Sequence, residues 1–402
     1  MLCCEVLVIT GDYEKALQKE AEAEKILSEI PDAKNELGML FSAKGFLFER
    51  AGRYESALNL LEKAIAIFDE MKMEKELAKA FNRIGVVHWY LGNFEAAQEF
   101  FEKSFKIREK RGDLKGLGIS YNNLGITCRE RGKTQLSIEY FTKSLEIGEK
   151  IGDVWGIAIA YNNIGSIYHD RSEYPKALEF YKKSLDLKKK IGDANGSVIT
   201  STNIGAIYSE TGEYEKAIEF FKASIEDGER FGYSWGTAFA YSHLGEVYLD
   251  KGDAEKALEH FRKSLEICEK IGDKALLCRN LIRVAEAYLL AGDLASSLAN
   301  FSSVKTIAEN LSLVPLDAEL HRLSAKLYAA EGKLGEAESE LKKAIEIYEK
   351  TEIVGIDYYI TLYELGKLRN DKALLEKARA FFEKIGNRVW AEKVKEEIGR
   401  IC

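Results

Sequence analysis

A five-residue stretch that returns at a fixed interval constrains this chain more than any other feature. Tyr121–Asn122–Asn123–Leu124–Gly125 comes back forty residues later as Tyr161–Asn162–Asn163–Ile164–Gly165, and in looser form as Ser201–Thr202–Asn203–Ile204–Gly205. Its closing glycine lies on a row spaced by forty: Gly45, Gly85, Gly125, Gly165, Gly205 and Gly245, continued by Ala285 and Ala325. Units of one fixed period bury their apolar faces only against their neighbours, so the 402 residues read as one elongated array rather than several globular domains.

Each period holds two amphipathic helices. In the unit from Asp153 to Gly192, Asp153 is a good N-cap, and Tyr161, Ile164, Gly165 and Tyr168 follow the i, i+3, i+4, i+7 spacing of a buried helix face. A turn follows at Ser172–Glu173, where sister units carry Gly52, Gly92, Gly132, Gly212, Gly252 and Gly292, the residue that best tolerates positive φ at a helix end. The second helix runs through Ala177, Tyr181 and Leu185 to Gly192, with Pro175 in its first turn, where a missing N–H is harmless. Small residues recur at Ala57, Ala97, Ala177, Ala217, Ala257 and Ala337, with Ser137 and Ser297 substituting, and at Gly116, Gly156, Gly196 and Gly236. Both rows are expected to permit close helix approach. An aromatic row, Tyr168, Tyr208, Tyr248, Tyr288 and Tyr328, is expected to fill the space between helices.

An aromatic, then Leu or Ile followed by Gly, then Tyr, a glycine turn, and Ala in the second helix: in this order the residues resemble the tetratricopeptide repeat (TPR) family over nearly the whole chain. The forty-residue period resembles the Pins-type spindle-orientation adaptors and, more loosely, kinesin light chains. The resemblance implies an all-α fold: a right-handed α-solenoid of about nine to ten helix pairs with a C-terminal capping helix, and a concave groove lined by the first helices.

The ends depart from the pattern. Gly11–Asp12–Tyr13–Glu14–Lys15–Ala16–Leu17 matches a second helix, so residues 1–32 read as a partial repeat, either capped by a short first helix or cut from a longer array. Residues 33–312 form the regular array, and 313–402 the divergent C-terminal repeats and capping helix of one continuous solenoid. Pro315 marks a longer junction after Leu311, and the unit at Gly366 loses its turn glycine. Arg379–Arg400, with Phe381, Phe382 and Trp390, reads as a closing amphipathic helix pair. This end resembles the terminal repeats of large signalling ATPases and nucleotide cyclases that carry TPR sensor arrays.

Composition narrows the function. A net charge of −8 argues against a nucleic-acid partner, which calls for a basic footprint. No apolar run approaches a membrane span, and Met1–Thr10 lacks the features of a signal peptide, so a cytoplasmic protein with no membrane partner is expected. Cys3, Cys4, Cys128, Cys268, Cys278 and Cys402 show no CxxC spacing, and His88, His169, His243, His260 and His321 fall in different units, so no metal or other cofactor is expected. Gly132–Lys133–Thr134 lacks the earlier glycine and preceding strand of a phosphate-binding loop. Acidic and basic residues spread evenly along outer faces point away from an enzyme, with no small-molecule substrate.

The informative side of the first helix lies opposite Tyr121, Leu124, Gly125 and Cys128. One row there reads Arg83, Asn123, Asn163, Asn203, His243, Arg283, and its neighbour begins Asn82, Asn122, Asn162. Asparagine is a mediocre helix former that offers both a donor and an acceptor, as an extended peptide's backbone requires. The alternative is that the asparagines bond neighbouring helices and hold the pitch. Glu130, Asp170, Glu210 and Asp250 form an acidic file along one edge, complementary to basic groups on a ligand or a surface that aids solubility. These rows point to a non-enzymatic scaffold or adaptor that binds an extended peptide or partner helix in the groove, or else to the sensor portion of a larger signalling ATPase, kinase or transcription regulator.

Overall fold

The computed structural model describes residues 33–50, 52–308, 314–351 and 355–401, with positions 22, 26, 27 and 30 before them. The partial repeat expected over residues 1–32 therefore lies almost wholly outside the described residues. Among these residues the structure is all helical, nine consecutive helix pairs and a final single helix. The first helices of the pairs are α1 (Lys34–Arg50), α3 (Glu74–Tyr90), α5 (Leu114–Glu130), α7 (Val154–Asp170), α9 (Ala194–Glu210), α11 (Ser234–Asp250), α13 (Lys274–Leu290), α15 (Val314–Ala330) and α17 (Ile356–Arg369). Their partners are α2 (Tyr54–Glu70), α4 (Phe94–Arg111), α6 (Thr134–Ile151), α8 (Tyr174–Lys190), α10 (Tyr214–Phe231), α12 (Ala254–Ile271), α14 (Leu294–Ala308), α16 (Leu334–Lys350) and α18 (Lys372–Lys384); α19 (Arg388–Ile401) closes the chain. The residues divide into two compact units at Ile164–Gly165, within α7.

In the first unit the glycine row makes room for a large apolar side chain of the second helix, Leu61 at Gly45 and an aromatic ring at the next two. A Cβ on Gly85 would stand 2.6 Å from Phe101, and one on Gly125 would stand 2.6 Å from Phe141. Burying such a ring wholly is the largest single apolar contribution a repeat makes, on the order of 3–5 kcal/mol by truncation. Hydroxyls tie the same helices together: Ser104 donates to the Ala78 carbonyl at 2.8 Å and Ser144 to that of Gly118 at 2.9 Å. Where Ser137 replaces the alanine of the second helix, its hydroxyl donates to the Gly125 carbonyl at 2.6 Å, so the substitution keeps the close approach and adds a bond.

The glycines at the start of the first helices have a different reason from the expected helix approach. Asp113 caps α5 by accepting from the Gly116 N–H at 3.0 Å, and a Cβ on Gly116 would collide with that carboxylate and with the Arg108 stem. Arg108 is itself buried and donates to the Gly116 carbonyl at 2.8 Å and to Ser120 Oγ at 2.9 Å, joining α4 to α5.

The second unit repeats these devices. Tyr181, Phe221 and Phe261 lie against Gly165, Gly205 and Gly245, and Ser264 and Ser297 donate to the carbonyls of Ala238 and Ala285 at 2.7 and 2.8 Å. Lys188 takes the place of Arg108, buried, its Nζ donating to Thr200 Oγ1 at 2.7 Å. The aromatic row sits at the rim rather than the centre: Tyr168 stacks on Phe180 and Tyr208 on Phe220, with Lys176 and Lys216 over the tyrosine rings. Ser172 (φ 57°) and Asn370 (φ 53°) adopt the left-handed turn conformation where glycine is missing. The helix α15 begins at Val314 with Pro315 in its first turn. The closing helix pair starts earlier than expected, at Lys372, and breaks at Gly386 (φ 80°). One continuous apolar cluster takes in Tyr174, Tyr181, Ile204 and Ile207 together with Phe381, Phe382, Trp390 and Val394, so the last helices pack back towards α8 and α9.

Candidate partner-binding faces

In the first unit the asparagines are paired with one another across adjacent repeats. Asn123 donates through Nδ2 to Asn82 Oδ1 at 2.9 Å, and Asn163 to Asn122 Oδ1 at 2.6 Å. Each bond joins consecutive first helices, α3 to α5 and α5 to α7, and leaves the second asparagine's NH2 group and the first one's remaining lone pairs with further capacity. All of these side chains, with Asn162, are half-buried, and the Arg83 guanidinium lies 4.1 Å from the Phe46 ring centroid. Glu130 is exposed at the C-terminal end of α5.

Beside Asn122 and Asn123 lies a cleft of about 150 Å³, walled by Ile119 of α5, Ile147 of α6, and Trp155 and Ile159 of α7. Trp155 is 50% exposed, an indole presented to solvent over an apolar floor. The sequence carried a signal for it that the asparagine rows overshadowed: Trp155 and Trp235 occupy the same helix position eighty residues apart. They differ in their surroundings. Trp235 is tied down, its Nε1 donating to Asp273 Oδ2 at 2.9 Å and its ring stacked on Phe239.

In the second unit the corresponding row is occupied by the chain's own charges. Arg283 is buried, not presented to a ligand: it donates to Glu246 Oε1 at 3.2 Å and Glu286 Oε2 at 2.9 Å, and pairs with Glu319 Oε2 at 3.2 Å. Arg322 reaches Asp357 Oδ1 at 2.7 Å, and Lys326 reaches Glu286 Oε1 at 2.6 Å and Glu364 Oε1 at 3.1 Å, so α11, α13, α15 and α17 are laced by one ionic network. Burial opposes charge on Glu246, but His243 and Arg283 outweigh it and hold its pKa down at about 2. His243 contacts Glu246 Oε2 at 2.9 Å and stacks on Phe221, and Asn203 is half-buried.

The acidic file is chemically uneven. Glu210 is held by His169 Nε2 at 3.0 Å and by the Tyr174 hydroxyl at 2.7 Å; burial works against its charge, yet these partners keep its pKa below the ordinary carboxylate range. Asp250 is exposed by surface area but crowded by protein on its other sides; that desolvation and Glu246 push its pKa up to about 6, against the pull of Lys393. Asp170 is exposed at the end of α7. Among the described residues no cluster of His, Cys, Asp and Glu could hold a metal ion, and no helix is long and apolar enough to cross a membrane.

Tandem helix pairs with glycine-seated rings and self-bonded first helices define a repeat protein of the TPR class. The sequence profile described as "Tetratricopeptide repeat" matches residues 76–150, 156–228 and 236–310, and a second one of that description matches 319–351; the chain belongs to the TPR family. The Pins-type subtype has no counterpart in these matches. Compared by sequence with curated proteins, the chain has no match. Its fold is similar to that of a Rap protein solved in complex with competence and sporulation factor, with a TM-score of 0.62 at 15% identity, covering 90% of this chain and 99% of that one. It is also similar to the apo form of the quorum sensor NprR from B. thuringiensis, with a TM-score of 0.56 at 16% identity over 83% of this chain and 97% of that one. A signal transduction ATPase with numerous domains and a tetratricopeptide repeat sensor, from Pyrococcus horikoshii, gives a TM-score of 0.51 at 20% identity over 92% of this chain and 54% of that one. At these identities the likeness is one of fold.

Proposed function

We propose that the chain is a non-enzymatic interaction scaffold whose first unit binds an extended peptide along α3, α5 and α7. The cleft beside Asn122 and Asn123 carries this reading: it places half-buried amides next to a small apolar hollow with an exposed indole. A peptide would set one bulky apolar side chain into the hollow, against Trp155 and Ile159, while its backbone bonds the spare donor and acceptor capacity of Asn82, Asn122, Asn123 and Asn163. Arg83 would meet an acidic group at one end of such a ligand and Glu130 a basic one. The fold similarity to the Rap conjugation gene regulator of the plasmid pLS20, solved in complex with the Phr* peptide, supports a peptide ligand for this architecture. In the second unit Asn203 and His243 are half-buried, and Arg283 serves the internal network.

A displayed library of random extended peptides selected on the full chain tests this reading. Enriched sequences are expected to share a bulky apolar residue flanked by backbone-accessible small ones, and Trp155→Ala should weaken them about tenfold or more. Selection without such a residue, or binding indifferent to Trp155→Ala and to Asn123→Ala alike, would remove the first unit as the site.

A further inference from the structure

The second unit is closed by its own last helix, and the place where that helix lands is the acidic file. Asn387, at the N-terminus of α19, donates through Nδ2 to the backbone carbonyl of Glu210 at 2.9 Å, a bond between residues 177 apart in sequence. Its Oδ1 accepts from the Trp390 N–H at 2.9 Å, so one side chain both caps α19 and docks it. The landing site is the turn between α9 and α10. A Cβ on Gly212 would stand 3.0 Å from Asn387 Oδ1 and 3.2 Å from Val389 Cγ2, whereas the sister turn glycines Gly52, Gly92, Gly132, Gly252, Gly292 and Gly332 have nothing within 4 Å. Charge follows the same line: Lys393 of α19 is drawn to Asp250, and Lys384 at the end of α18 acts on Glu173 in the preceding turn. Trp390, with Lys393 3.9 Å above its ring centroid, is buried in the cluster that also holds Ile204 and Ile207.

We infer that α19 is an intramolecular clasp, an amphipathic helix that occupies the edge at Glu210 and Gly212 and that a partner helix of like chemistry must displace to dock there. Among the described turn glycines between helices of a pair, only Gly212 is contacted in this way, which makes the docking a specific contact rather than general packing. The polar part of the contact is a single neutral bond to a turn carbonyl, and the rest is the burial of Trp390, Val394 and Ile398 in the apolar cluster, a face that a displacing helix must reproduce. The displacement clause rests on the scaffold reading proposed above; the clasp itself does not.

The experiment uses the full chain and hits the contact from both sides. Asn387→Asp keeps an N-cap acceptor for Trp390 but removes the donor to Glu210, and Gly212→Ala crowds Asn387 from the other side. Gly252→Ala introduces the same positive-φ strain at a turn glycine whose added Cβ would meet nothing within 4 Å, and is the control. Hydrogen exchange of residues 388–401 should accelerate about tenfold in Asn387→Asp and in Gly212→Ala but stay at the wild-type rate in Gly252→Ala. A labelled peptide spanning 385–401 should then bind Asn387→Asp measurably more tightly than it binds the wild type. Exchange in α19 that ignores Asn387→Asp, or that changes equally in both glycine variants, overturns the clasp. Equal peptide binding to wild type and Asn387→Asp overturns the displacement, while leaving the first-unit peptide site to its own test.

Discussion

Gly165 lies under the ring of Tyr181: a Cβ built on the glycine would stand 2.8 Å from Tyr181 Cδ1 and 2.9 Å from Cε1. The ring is fully buried, so it has nowhere to retreat. Gly165→Leu should therefore destabilise the second unit by several kcal/mol, about 3 or more, as overpacking with a forced helix shift. The pair is coupled, so Gly165→Ala combined with Tyr181→Leu should cost less than the sum of the single changes, by roughly 0.5–3 kcal/mol in urea titrations. Strict additivity would mean that the two residues do not share this space.

The asparagine bonds give a second test. Asn122→Ala and Asn163→Ala each remove one end of the 2.6 Å bond between α5 and α7. Each should cost about 1 kcal/mol less the gain from alanine's better helix propensity, and the double variant should cost little more than either single one. Thermal unfolding of the three proteins measures this. If the double variant loses the sum of two independent effects, the asparagines do not serve each other.

Arg283→Met should be far more damaging than a surface charge change, by about 3–5 kcal/mol, because it leaves Glu246, Glu286 and Glu319 buried without their shared cation. The same network makes the second unit acid-sensitive. Glu246 titrates near 2 when folded and near 4.5 when unfolded, so its contribution is fully present above 4.5 and is lost as pH falls towards 2. Glu246→Gln should flatten the acid limb of the stability profile over that window, as read by chemical denaturation at successive pH values.

Lys188 gives the same sign of pH dependence, at the alkaline end. Burial, only partly offset by Asp193, lowers its pKa to about 8, while the unfolded chain holds that proton up to about 10.4. Between these values the unfolded state binds more protons, so the Lys188 contribution grows more favourable as pH rises, by up to about 1.4 kcal/mol per pH unit. Lys188→Met removes the effect, and the difference in stability between wild type and variant should change over pH 8–10 and be constant below pH 7. A difference independent of pH throughout would show that the amine keeps its ordinary affinity for protons.

The repeat, its two helices and its small-residue rows were legible because period, caps and turn glycines are written in local sequence. The reasons behind the rows were less so. Gly116 is small because the cap carboxylate of Asp113 and the Arg108 stem crowd it, and neither shows in a helical pattern. Gly125 faces Phe141 rather than a bare helix, a pairing that only the fold brings together. In the candidate site, a single row that includes Arg283 could not reveal that Glu286, Glu319 and Asp357 converge on it from three other positions. The landing of α19 on Gly212 involves residues 175 and more apart, beyond any periodic signal.

Asn123 bonds Asn82 and Asn163 bonds Asn122, each across an interval of 41 in a chain whose period is forty. The extra residue means that the unit of Asn122 and Asn123 carries a donor at one position for the repeat before it and an acceptor at the adjacent position for the repeat after it. A duplicated unit of this type thus arrives with both halves of its junctions already in place. Lengthening the array by tandem copying requires no new interface, and the copy number of these central repeats is free to drift while the fold stays whole.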